Sequence, residues 1–282
     1  MLVTMRELLA DAARGGYAVG GFNCASLESA MAAVRASEET GMPFILQHAA
    51  VHEKYLPLAV AVPMMLHFAR KAKVPVAVHL DHGSSLEHCL RALALGCTSV
   101  MIDGSALPFA ENAAVTAQVV KAAHGVGATV EAELGSMPCN FNGELGDYIP
   151  EDFYTRPDDA AEFLDRTSID ALAISFGTVH GIYKTTPKLS LDVISRVREA
   201  TGGLPLVMHG GSGLSDDDYH QAISRGIRKV NYYTYGALAG GRAACALAKE
   251  KGDGLQFHDV AVGATAAMAE DFVRVMHVLG GR

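Results

Sequence analysis

Short apolar, β-branched runs alternate along the chain with longer stretches whose apolar residues recur at helical spacing. The runs cover residues 18–22, 44–47, 76–80, 99–102, 129–133, 171–175, 206–208 and 228–231. Few of them alternate apolar with polar positions, so they are predicted as strands buried on both faces, the habit of a parallel sheet. Between them, Leu86, Leu90, Leu93 and Leu95, or Val115, Val119 and Val120, mark helical faces, with Ser84 and Ser215 as predicted caps. Strands alternating with helices, without a Pro- or Ser-rich linker, predict an α/β protein: a single (β/α)8 TIM barrel over residues 1–282. A doubly wound open sheet fits less well, because no GxGxxG follows the first run. From Gly236 onward the helical pattern exceeds one closing helix, which predicts an extra C-terminal helical segment over a barrel end or a subunit interface. The fifth and sixth runs are separated by a long polar passage, GSMPCNFNGELGDYIPEDFYTRP, as expected of a lid or binding loop.

Polar residues interrupt this pattern at one recurring place, the ends of the strands. The third run, VPVAV, closes on His79, Leu80, Asp81 and His82 before Gly83. Burying a charge without a partner is costly, so these groups pair with each other or gather around something. Strand neighbours face opposite ways, so Asp81 and His82 share a site only where strand gives way to loop, at Gly83. Asn23, Asp103, Glu131, Glu133, His180, His209 and Asn231 lie at or just past other strand ends. That end of a (β/α)8 barrel is where its loops build active sites.

A lone histidine beside an apolar run is more often a hydrogen-bonded core residue or a cap, and His48, His52 and His79 are read that way. His82, His180 and His209 differ, since each is followed at once by glycine. Three imidazoles from three strands, among carboxylates, fit a catalytic metal site with open positions; with three imidazoles and no protein thiolate, zinc is favoured, one ion per subunit, and cobalt or manganese could occupy the same site. Two of these segments, SFGTVHGIYK and MHGGSG, also supply clustered backbone N–H groups, the Ser212 hydroxyl and the Lys184 cation, the makings of a phosphate cradle.

A formal net charge of −8 with no block of lysine or arginine argues against nucleic acid as a partner. Arg6, Glu7 and Asp11 sit where a signal peptide would need its apolar core, and no apolar run is long enough to span a membrane; a cytoplasmic location is expected. Five scattered cysteines without a CxxC suit reduced thiols.

The ordered segments HLDHGSSLE, SVMIDGSALPFAENAAVT, TVEAELGS, FGTVHGIYK, PLVMHGGSG and RKVNYYT resemble the class II, metal-dependent ketose-bisphosphate aldolases, over nearly the whole chain. The resemblance implies a homo-oligomer, a dimer or tetramer, that uses zinc to cleave a phosphorylated ketose to dihydroxyacetone phosphate and an aldehyde. It makes His82, His180 and His209 the zinc ligands, Asp81 the acid/base at the cleaved bond, and Asp103, Glu131 and Glu133 the carboxylates around the metal. Gly181, Lys184, Gly210, Gly211, Ser212, Asn231 and Thr234 fall where the family holds the dihydroxyacetone phosphate end, in part through Na+ or K+. Asn23 is added as a substrate contact from its place at the first strand end.

Two departures limit the match. Where the family continues with a Gly-Gly-x-Glu-Asp loop whose glutamate moves the proton on the dihydroxyacetone phosphate carbon, this chain has Phe141, and Glu144 and Asp147 are the nearest carboxylates. Glu144 is taken as the candidate base. Tyr233 stands where a small or acidic residue is common, which puts a phenol at the aldehyde end. The competing reading is a catalytically silent relative that binds metal and sugar phosphate as an accessory subunit. A metal-dependent amidohydrolase would want a His-x-His pair at the first strand, and GGFNCAS has none.

Overall fold

A computed structural model describes residues 1–135, 139–140, 151–183 and 186–281, with no side chains described at 139–140. The strands β1 (Val19–Asn23), β2 (Phe44–Ala49), β3 (Val76–Gly83), β4 (Ser99–Ile102), β5 (Thr129–Leu134), β6 (Ala171–Ile174), β7 (Leu206–Met208) and β8 (Ile227–Tyr232) form a closed parallel barrel. They follow one another around it in chain order, β8 pairing with β1 through Val19 opposite Lys229 and Gly21 opposite Asn231. Apart from His82, every strand residue is buried, which is why the sequence shows apolar runs rather than alternation. A two-residue pairing of Cys139–Asn140 with His180–Gly181 extends over the mouth.

The helices are α1 (Met5–Gly15), α2 (Leu27–Thr40), α3 (Leu58–Lys71), α4 (Leu86–Leu95), α5 (Phe109–Gly125), α6 (Pro157–Thr167), α7 (Leu191–Ala200), α8 (Asp216–Arg225), α9 (Thr234–Lys251) and α10 (Phe257–Leu279). Ser215 caps α8 as expected, in a capping box with Asp218. The cap of α4 is Ser85 rather than Ser84: its hydroxyl accepts from the His88 N–H at 3.1 Å.

One end of the barrel is plugged by α1. A Thr4–Glu7 capping box starts this helix, and its Met5, Leu8, Leu9 and Ala12 pack with Val19, Ile45, Ala77, Met101, Ala171, Ala173 and Val207 inside the strands. Each Leu or Met so buried stabilises the fold by roughly 1.5–3 kcal/mol. The C-terminal segment lies along a flank and borders, with Asn23 and Tyr233, a groove at the carboxyl ends of the strands. Along that flank α10 lies against α2, α8 and β1, its Phe272 ring 4.6 Å from Phe22. Helix α9 rides outside it, burying only Gly236 and Gly240 among its residues.

Candidate active site

The strand β3 does not stop at Asp81. Leu80 pairs with Val100 and Gly83 with Ile102, three residues set against two, so the strand bulges at Asp81 and His82. His82 there adopts φ 48°, a left-handed conformation that costs a non-glycine residue about 1–2 kcal/mol. This corrects the expectation that the two residues share a site because the strand has ended; they share it because the strand bulges within its own ladder. Gly83 restores the register: a Cβ on it would lie 2.4 Å from the Met101 carbonyl oxygen.

Three amides hold the Asp81 carboxylate. Asn23 Nδ2 donates to Oδ2 at 2.8 Å, Gln47 Nε2 to Oδ2 at 3.3 Å, and Asn231 Nδ2 to Oδ1 at 2.9 Å. Burial opposes the charge, but His82, His209 and Lys229 outweigh it and hold the carboxyl well below the usual carboxylate range. Asp81 is thus an ionised base fixed in orientation.

Beside it, His82, His180 and His209 turn toward one point, with one ring nitrogen of each within 4.8 Å of the others. Their outer nitrogens are already engaged in two cases. His82 Nδ1 meets Asp103 Oδ2 at 2.8 Å, and Asp103 Oδ1 accepts from the Ser105 N–H and hydroxyl at 3.1 and 2.7 Å. His209 Nε2 meets Glu131 Oε1 at 2.9 Å, while Lys229 Nζ donates to Glu131 Oε2 at 2.8 Å. Carboxylates on the far nitrogens fix ring orientation and raise ligand basicity, as around metal-bound histidines generally.

The inward nitrogens fit a metal. His180 Nε2, His209 Nδ1 and Glu133 Oε2 are buried without a hydrogen-bond partner. Buried polar atoms left unpaired are uncommon, and three facing one space, with His82 alongside, are the donor set of an N/O-ligated divalent ion. Burial, aided by His82 and His209, pushes His180 down to about 3, so it is the neutral imidazole a cation needs. Burial, then Asp103, pushes Glu133 up to about 8. Burial works against a charge on His82, yet Asp81, Asp103 and Glu133 raise it to about 10.

A cavity of about 400 Å³ opens above these groups. Asn23, Asp81, His82, Asp103, Glu133, His180, Gly181, Gly210, Gly211, Ser212, Asn231, Tyr233 and Thr234 line it, so most of the residues singled out by sequence come together. Gly181 and Gly210 have φ 105° and 66°, conformations that favour glycine. Glu131 lies beneath the cavity, fully buried, and reaches it only through His209. Phe141, Glu144, Asp147 and Lys184 lie outside the described residues. Three participants escaped the sequence reading. Gln47 was the lone amide in β2 and Lys229 a lysine in a buried strand that also carries Arg228 and Asn231. His52, read as a core or cap residue, lines the cavity instead, its ring 4.6 Å from that of Tyr233.

A parallel (β/α)8 barrel carrying convergent imidazoles and a held carboxylate at the ends of its strands defines a class, the barrel enzymes built for metal-assisted chemistry. Within that class the chain belongs to the class II fructose-bisphosphate aldolases, whose family model, "Fructose-bisphosphate aldolase class-II", matches residues 3–282. It is 43% identical over 246 residues to a probable fructose-bisphosphate aldolase of Bacillus subtilis, covering 86% of this chain and 85% of the relative. It is likewise 43% identical over 242 residues to the fructose-bisphosphate aldolase of Geobacillus stearothermophilus, covering 84% and 83%. The crystal structure of the YdjI aldolase from Escherichia coli K12 superposes with a TM-score of 0.86 at 36% identity, over 99% of this chain and 98% of that one. The chain is therefore a class II aldolase, a carbon–carbon lyase of a metal-dependent family. Among the described residues, no helix is long and apolar enough to cross a membrane.

Proposed function

We propose that the chain, acting as one barrel domain, reversibly cleaves a phosphorylated ketose to dihydroxyacetone phosphate and an aldehyde, with one zinc ion per subunit held by His82, His180 and His209. The observation that carries this reading is the convergence of His82, His180 and His209, with His209 Nδ1 3.4 Å from Glu133 Oε2 and His180 Nε2 buried without a hydrogen bond, beside an ionised Asp81. When bound, the ion supplies Lewis-acid stabilisation of the negative charge that carbon–carbon cleavage leaves on the dihydroxyacetone phosphate fragment, a contribution of several kcal/mol.

The side chains do the rest. Asp81 takes the proton from the hydroxyl at the bond that breaks and returns it in the aldol direction, while Asn23, Gln47 and Asn231 keep its oxygens aimed. Asp103 and Glu131 hold the outer nitrogens of His82 and His209, and Lys229 balances the charge of Glu131. Gly181, Gly210, Gly211 and Ser212 line the phosphate end, where the Ser212 hydroxyl is joined by Lys184 and by the first turn of α9 at Thr234, where a helix N-terminus favours an anion. A sodium or potassium ion assists at this phosphate. Glu144 moves the proton on the dihydroxyacetone phosphate carbon, and Tyr233 bounds the aldehyde end. The working form is a cytoplasmic homodimer or homotetramer.

A panel of C5 to C7 ketose 1-phosphates and bisphosphates, with coupled detection of dihydroxyacetone phosphate, tests the reading, which requires cleavage of at least one of them. Solvent deuterium exchange into dihydroxyacetone phosphate isolates the proton step. Glu144→Gln slows it by at least ~10²-fold if Glu144 is the base, and normal exchange in that variant removes Glu144 from the mechanism.

A further inference from the structure

The two ends of the cavity differ in the groups they present. At one end lie the glycines and hydroxyl offered to phosphate. At the other, the His52 ring meets that of Tyr233 at a tilt of 50°, centroids 4.6 Å apart, next to Ala49 and Val51. From this contrast we infer that His52 and Tyr233 form an aldehyde subsite for a neutral polyhydroxy aldehyde, so that the ketose cleaved carries its only phosphate at the dihydroxyacetone end. The inference rests on the aldolase reading above and narrows its substrate.

Three observations carry it. First, no lysine or arginine is among the described residues lining this cavity. The adjoining groove beyond Tyr233 is no different, with Glu28 the one charged residue among its described lining. A phosphate dianion leaving water needs charge-assisted partners, usually arginine or lysine. Second, of the residues outside the described ones, Lys184 is assigned above to the dihydroxyacetone phosphate end, and SMPCNFNGELGDYIP (136–150) contains no lysine, arginine or histidine. Third, His52 is a polar group waiting for a neutral ligand. It is 5% exposed, and its Nδ1 has no hydrogen-bond partner. Burial, reinforced by His48 and by the exposed Lys54, whose ammonium lies over the Tyr55 ring and not in the cavity lining, lowers its pKa to about 4 against the opposing pull of Asp81, so at neutral pH it is an uncharged imidazole. Such a ring exchanges hydrogen bonds with a sugar hydroxyl but gives a phosphate no net charge, and the Tyr233 ring beside it offers an apolar face to the carbon chain.

Aldol condensation with dihydroxyacetone phosphate held constant is the test, because it varies the aldehyde alone. Wild-type holoenzyme is expected to use glyceraldehyde with a kcat/KM on the order of 10- to 100-fold above that for glyceraldehyde 3-phosphate, the scale of lost charge-assisted hydrogen bonds. His52→Phe keeps the ring contact and removes the nitrogens. It is expected to raise the KM for glyceraldehyde by on the order of tenfold more than it raises the Kd for dihydroxyacetone phosphate. Equal use of the two aldehydes, or preference for the phosphorylated one, overturns the neutral subsite, and so does a variant whose KM and Kd move together. If wild-type protein condenses neither aldehyde yet exchanges deuterium into dihydroxyacetone phosphate, the subsite assignment fails while the aldolase reading stands; absence of both activities overturns that reading and this inference with it.

Discussion

The two ends of the barrel interior belong to one closed sheet and differ in almost everything else. Toward the amino ends, Val19, Ile45, Ala77 and Val207 close on Met5, Leu8 and Leu9 of α1 as packed hydrocarbon. Further along β2 and β3, and on β5 and β8, which give the plug no residue, Gln47, His79, Asp81, Glu131, Glu133 and Lys229 are as deeply buried, all at 5% exposure or less, yet polar or charged. One end holds together by removing apolar surface from water. The other holds its charges with polar partners, as Lys229 meets Glu131 and three amides meet Asp81. A buried ion pair is weak evidence for stability but is strongly destabilising when one member is removed. The comparison teaches that the carboxyl end gives up hydrocarbon packing to keep a field ready for a cation and a proton.

The sharpest break in this contrast is His180→Ala, expected to abolish turnover and to lower metal content below one ion per subunit; elemental analysis of the purified variant checks the second point. Full metal stoichiometry there would remove His180 from the ligand set. Next comes Asp81→Ala, expected to keep the metal while reducing kcat by about 10²- to 10⁴-fold, the contribution of a positioned acid/base. A near-normal rate would contradict its role.

Lys229→Met and Leu9→Ala then set the two ends directly against each other. Lys229→Met leaves Glu131 without its cation and is expected to lower unfolding free energy by about 3–5 kcal/mol. Leu9→Ala opens a cavity in the plug for a similar loss of about 2–5 kcal/mol. Urea unfolding measures both. Only the lysine variant is expected to lose metal affinity as well, because only it disturbs the chain from Lys229 through Glu131 to His209. Equal metal affinity in the two variants would mean that this chain does not position the histidine. The smallest effect is expected of Asp103→Asn, which keeps the size of the group on His82 Nδ1 but removes its charge: a drop of about 10- to 100-fold in metal affinity, read by competition with a chelating dye.

Much of this was legible in the chain. Strand positions followed from uninterrupted apolar runs, and the His-Gly pairs pointed to His82, His180 and His209 because nothing about packing asks for that pairing three times. What stayed hidden follows from the same burial that made the strands readable. A strand buried on both faces carries no alternation, so the sequence cannot say that Gln47 and Lys229 face inward while Leu46 and Val230 face the helices. The bulge at His82 was hidden because register depends on the partner strand. His52 lies in a one-turn segment after β2, where only tertiary contact with Tyr233, far away in sequence, gives it a role. The same holds for α9 and α10: two helical patterns were visible, but which of them lies on the barrel is decided by Phe272 meeting Phe22.

The central claim is that three histidines hold a metal at which a phosphorylated ketose is cleaved. Protein stripped by a chelator and titrated with zinc, with dihydroxyacetone phosphate release followed on a ketose phosphate it cleaves, tests this most directly. The account predicts no release from the stripped protein, a linear return of rate with added zinc, and a break at one equivalent per subunit. Undiminished cleavage by the stripped protein, or a rate indifferent to added metal, would contradict it.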